Sequence, residues 1–139
     1  MEFTTNKINN VVGMMNSTEE DQNVALEILN DCDIENNIIP ILIILKLQYK
    51  LTLYNIESEA PRLHSFVTKH ITDNVISFNT IIRVMDELGD SVTEDHKSIF
   101  NTCVNDFLYN VAQKSGMTFV DGVSTKIKVV VNDKDRITS

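Results

Sequence analysis

The sequence predicts a mainly α protein: a single compact bundle of about five or six helices over residues 1–116, followed by a C-terminal β-hairpin and polar tail over 117–139. Three observations carry that prediction. Apolar residues recur at three- and four-residue spacing through most of the chain, as a buried helix face requires. Capping residues (Ser17, Ser77, Ser91, Thr93) stand just ahead of those runs. Gly and Pro number only 4 and 2 in 139 residues, which favours long regular elements over a loop-rich fold. A chain of this length is commonly one domain and buries about two-thirds of its unfolded surface, so it needs no covalent staples.

The first element is a short amphipathic helix through Ile8, Val11, Val12 and Met15, ended near Asn16. Ser17 and Glu20 then stand in the S/T-x-x-E relation of a capping box, where hydroxyl and carboxylate satisfy backbone donors left unpaired at a helix start. A second helix over about 18–30 places Val24, Ala25, Ile28 and Leu29 on one face, and residues 31–37 break the pattern. The apolar run 38–45 suits either a buried strand or a helix. The continuation KLQYKL lengthens it and favours a helix starting near Asn36 or Asn37, ending near 49–51, with Pro40 in the first turn where its missing N–H costs nothing. Its first half is apolar on nearly every side, so it belongs at the centre.

A fourth helix over about 60–72 has Pro61 in its first turn and Leu63, Phe66, Val67 and Ile71 facing inward. Ser77 caps a fifth, with Ile81, Ile82, Val84, Met85 and Leu88 inward and Gly89 at the αL position that closes it. The sixth is the longest. Ser91 or Thr93 caps it, Glu94 and Asp95 sit favourably in its first turn, and Ile99, Phe100, Cys103, Val104, Phe107, Leu108 and Val111 form its stripe up to Gly116. Then the period changes from helical to alternating. Asp121-Gly122 between β-rich runs is a hairpin signal, and Ile127, Val129 and Val131 alternate with Lys126, Lys128 and Val130. An isolated hairpin is marginal in water, so this one packs on the helices or pairs with another chain.

The formal net charge is −8. In the last 26 residues five cations face three carboxylates, which makes that segment +2 and leaves the preceding body at −10. An acidic body is a poor partner for nucleic acid, whose phosphates reward Lys and Arg, but suits a basic protein surface. Cys32 and Cys103 are expected to be reduced and packed. The N-terminus lacks the basic patch and apolar core of a secretory signal, and the run 38–45 falls well short of the roughly 20 residues needed to span a bilayer. The expectation is a soluble intracellular protein with no membrane or nucleic-acid partner.

The search for chemistry finds no catalytic, cofactor or metal residues to predict. His64 and His70 are six apart, on different faces of one helix, and no H-E-x-x-H pattern or zinc-spaced Cys/His cluster occurs. Near a helix end, His70 is expected to help satisfy terminal carbonyls. Asp31, Asp33 and Glu35 imitate the start of a calcium loop, but Asn36 stands where its Gly is needed and Leu42 where its bidentate Glu belongs. The four glycines are too dispersed for a phosphate-cradling loop. Two candidates for partner binding remain. One is the hairpin, with Phe119, Asp121, Gly122, Lys126 and Lys128; the other is the acidic run Asp86, Glu87, Asp90, Glu94 and Asp95, suited to a basic partner.

The run MMNSTEEDQNVALEILNDCD, with its polar S-x-E-E-D-x-N entry, A-L-E-I-L helix and acidic turn, resembles helix-pair segments in small structural and accessory proteins of large tailed bacteriophages. The likeness runs from Met14 to Asp33, about a seventh of the chain, and carries no functional residue. It implies a phage-encoded, non-enzymatic protein, made in the host cytoplasm and destined for the virion or its assembly. The expected partners are other virion proteins or further copies of itself. A second expectation, from the body's charge, is a small acidic inhibitor or adaptor bound to the nucleic-acid-binding surface of a host protein.

Overall fold

The computed structural model describes residues 3–71 and 76–114, and among them it contains seven α-helices and no strand. The hairpin predicted over 117–139 lies outside the described residues. Where the sequence predicts one bundle, the chain groups into two compact units, Met1–Ile76 and Ser77–Ser139.

The first unit holds α1 (Thr5–Met15), α2 (Glu19–Asp31), a 3-10 turn (Glu35–Asn37), α3 (Ile38–Leu47), α4 (Leu53–Glu59) and α5 (Pro61–His70). The predicted strand alternative for 38–45 gives way to a helix, whose eight residues Ile38 to Leu45 are all buried. A helix apolar on every side satisfies its backbone internally and needs neighbours all round, so α3 forms the centre of the unit. Pro40 occupies its third position, inside the first turn as expected. α1 packs against both α2 and α3, α4 packs against α5, and α2 touches α4 and α5. Ile8, Val11 and Met15 from α1, Leu26 and Leu29 from α2, and Leu63 and Val67 from α5 complete the core.

Three corrections to the sequence prediction have local causes. The cap of α2 is Thr18, whose hydroxyl accepts from Asp21 N at 3.2 Å, while Ser17 uses its carbonyl to accept from Gln22 and Lys50 side chains. α2 therefore buries Ala25, Leu26 and Leu29, and leaves Val24 47% exposed. α3 stops at Leu47, because Gln48 turns extended and its amide bonds the Leu51 carbonyl at 2.6 Å and the Leu51 N–H at 2.8 Å. Finally, α4 was not foreseen. Its start is a Thr52–Asn55 capping box, with Asn in place of the usual acidic partner, and Ile56 anchors it in the core.

The second unit contains α6 (Phe78–Leu88), a 3-10 turn (Gly89–Ser91) and α7 (Glu94–Lys114). Ser77 caps α6 as predicted, accepting from Thr80 N at 3.1 Å. The inward face of α6 is Phe78, Ile81 and Val84. Phe78 meets Phe100 and Phe107 of α7 edge-on, at ring separations of 6.0 and 5.2 Å, an arrangement aromatic quadrupoles favour. Gly89 closes α6 with φ +55° and ψ −121°, a positive-φ conformation outside the αL basin that was expected. Thr93 caps α7 by accepting from His96 N at 3.1 Å. No described helix is long and apolar enough to cross a membrane.

Candidate functional site

Outward-facing positions on α2 build the first surface. Val24, Glu27, Ile28 and Asp31 recur at the 3–4 spacing of a helical stripe, next to the one that packs inward. With Cys32 and Asp33 they line an open groove of about 440 Å³ that mixes apolar and carboxylate side chains. α2 carries no Lys or Arg. Glu19, Glu20 and Asp21 lie in its first turn, where the helix dipole favours anions. Glu27 and Asp31 lie toward its C-terminal end, where the same dipole disfavours them.

A second cleft, of about 340 Å³, adjoins the turn after α2 and is lined by Asp33, Ile34, Glu35, Arg62, Ser65, Phe66 and Lys69. Its polar groups are largely engaged in structure. Arg62 Nη1 donates to the carbonyls of Asn30 (2.6 Å) and Cys32 (3.0 Å) at the end of α2. Asn30 Oδ1 in return accepts from Leu63 N at 3.0 Å. Ala60 precedes α5 without a capping side chain, so Asn30, from 30 positions earlier, does that work. The two helix ends cap each other. Lys69 lies over the Phe66 ring, 5.4 Å from its centroid.

The acidic run stands where α6 gives way to α7. Asp86, Glu87, Asp90, Glu94 and Asp95 are all exposed. Glu87 receives both oxygens' worth of hydrogen bonding from Arg83, at 3.1 Å each, and Glu94 pairs with Lys97 at 3.4 Å. Glu94 and Asp95 also occupy the first turn of α7, where they complement its dipole. Phe119, Asp121, Gly122, Lys126 and Lys128 lie outside the described residues.

The histidines of α5 and the acidic turn after α2 make local contacts. His64 Nδ1 lies 3.7 Å from Glu57 Oε2, linking α5 to α4, and the His70 ring tilts against Phe66 at 5.5 Å. Asp33 closes its own turn, its carboxylate accepting from Asn36 at 2.7 Å and its carbonyl from the Asn37 side chain at 2.8 Å. Among the described residues no group of His, Cys, Asp and Glu has the arrangement of a metal site. Cys32 and Cys103 are free thiols and buried, as the sequence suggested. Burial pushes both thiols up, Cys103 to about 11 with the Asp106 carboxylate adding to the effect. Both thiols are therefore protonated and poorly nucleophilic near neutral pH.

The sequence did not announce the groove on α2, because Val24 and Ile28 fit the expected core stripe. Leu26 was the available signal: with Ala25 and Leu29 it defines a stripe rotated away from Val24. Comparison of this chain with models of known protein families, with curated proteins and with solved structures finds no match.

Proposed function

We infer that this chain is a non-enzymatic helical interaction module, a component of a bacteriophage particle or of its assembly, that docks through its C-terminal segment. In this reading a β-hairpin centred on Asp121-Gly122 presents Phe119, Lys126 and Lys128 to other copies or other virion proteins. The observation that carries it is the division of charge: −10 over the first 113 residues against +2 over the last 26. Opposite charges on two parts of one chain favour attraction between copies and steer their encounter. The phage setting rests on the resemblance of the 14–33 run.

The exposure of all five carboxylates at the α6–α7 junction favours a second reading, a small acidic inhibitor or adaptor seated on a basic, nucleic-acid-binding surface of a host protein. Light scattering on the full-length chain over a concentration series separates the two. A discrete oligomer is the result expected of the first. A monomer at every concentration, retaining basic host proteins in a salt-sensitive pull-down, contradicts the first and supports the second.

A further inference from the structure

The outer stripe of α2 is the surface whose composition asks most plainly for a partner. Val24 is 47% exposed and Ile28 half-buried, and both line a groove together with Glu27, Asp31 and Asp33. Glu27 and Asp31 have no cationic partner among the described residues, and they stand near the negative end of their helix. The Arg62 guanidinium at that end is occupied with the Asn30 and Cys32 carbonyls. Apolar side chains beside carboxylates on one helix stripe match long cationic side chains, whose methylene stems cover apolar surface while their ammonium heads reach the carboxylates.

The chain itself contains a matching segment beyond α7. Residues 125–131, TKIKVVV, carry Lys126 and Lys128 and no carboxylate. Their alternation predicts an extended segment, in which residues two apart share a face about 6.8 Å apart. Glu27 and Asp31, four apart on a helix, are separated along its axis by about 6 Å. The two spacings agree. We propose that Lys126 and Lys128 of one copy dock on the Val24–Glu27–Ile28–Asp31 stripe of a neighbouring copy. This deepens, and rests on, the reading that the chain assembles through its C-terminal segment. Ile127, Val129 and Val131 then fall on the opposite face, left to the hairpin or to a further neighbour. Because the two surfaces differ, the contact is head-to-tail, and the discrete oligomer expected of it is a closed ring.

Charge exchange in the full-length chain tests the assignment, with assembly followed by sedimentation velocity and folding by circular dichroism. Three variants are compared with the parent: E27K/D31K, K126E/K128E, and all four changes together. Each reversed pair is expected to raise the concentration at half-assembly about tenfold, and the quadruple variant to return it to within about threefold of the parent. Assembly of the parent weakens with added salt. E59K/D106K changes net charge equally at exposed positions elsewhere and is expected to leave assembly within about twofold. If K126E/K128E blocks assembly while E27K/D31K leaves it unchanged, the C-terminal reading stands and the α2 groove is the wrong surface. A parent chain that stays monomeric overturns both. Failure of the quadruple variant to recover, with its helices intact, overturns the pairing.

Discussion

At the scale of single residues, the most consequential contacts are polar groups that satisfy distant helix ends. At the junction of α2 and α5, Asn30 accepts from Arg62 through its carbonyl and from Leu63 N through Oδ1, and Asn16 Oδ1 accepts from Tyr49 N at 2.9 Å to hold the turn after α3. Asn30→Ala removes a cap from α5 and is expected to cost about 1–2 kcal/mol in urea melts. Arg62→Ala is expected to cost about 1–2 kcal/mol, since its two charge-assisted bonds are partly open to solvent. The double variant should lose less than the sum, because both changes open the same junction. Cys103 gives a pH signature. Its thiol titrates at about 11 rather than the ordinary 9.0, so the folded state keeps its proton after the unfolded chain has lost it. Stability from this group is full below pH 9.0 and is lost as pH rises through about 11. Cys103→Ser removes that titration, and its urea midpoint relative to the parent should rise across this window, by up to about 2–3 kcal/mol in free energy. None of these residue pairs was legible in the sequence: Asn30 and Arg62 read as surface polar residues until the chain brings them together, and no local spacing encodes that meeting.

At the scale of elements, periodicity carried most of the fold. The apolar run of α3, the Ser77 cap of α6 and the Thr93 cap of α7 were all legible, because each depends on neighbours within a few positions. α4 was missed because seven residues with a single described core anchor, Ile56, produce little periodic signal. The rotation of α2 was missed because moving the cap from Ser17 to Thr18 is a one-residue change, and the apolar cluster at 24–29 tolerates either face. Two substitutions probe the elements directly. Gly89→Ala is expected to destabilise by about 1–3 kcal/mol purely through backbone strain, since an added Cβ meets no atom within 4 Å. Ile43→Ala, in the fully buried middle of α3, is expected to cost about 2–5 kcal/mol and to lower the thermal midpoint accordingly.

At the scale of the whole molecule, an acidic stretch of 113 residues precedes a basic one of 26, and the proposed assembly joins the two between copies. Composition disclosed the charge division, but the sequence could not say which carboxylates stand open and which are paired. The structure separates Glu87 and Glu94, paired with Arg83 and Lys97, from Glu27 and Asp31, which line a groove with Val24 and Ile28. That distinction turns a net charge into a candidate interface. The most direct test of the central claim is the solution mass of the full-length chain beside a version ending at residue 116, by light scattering at matched concentrations with helicity monitored. The expected result is a discrete oligomer for the full chain and a folded monomer for the shortened one. An unchanged mass after removal of residues 117–139 would contradict it.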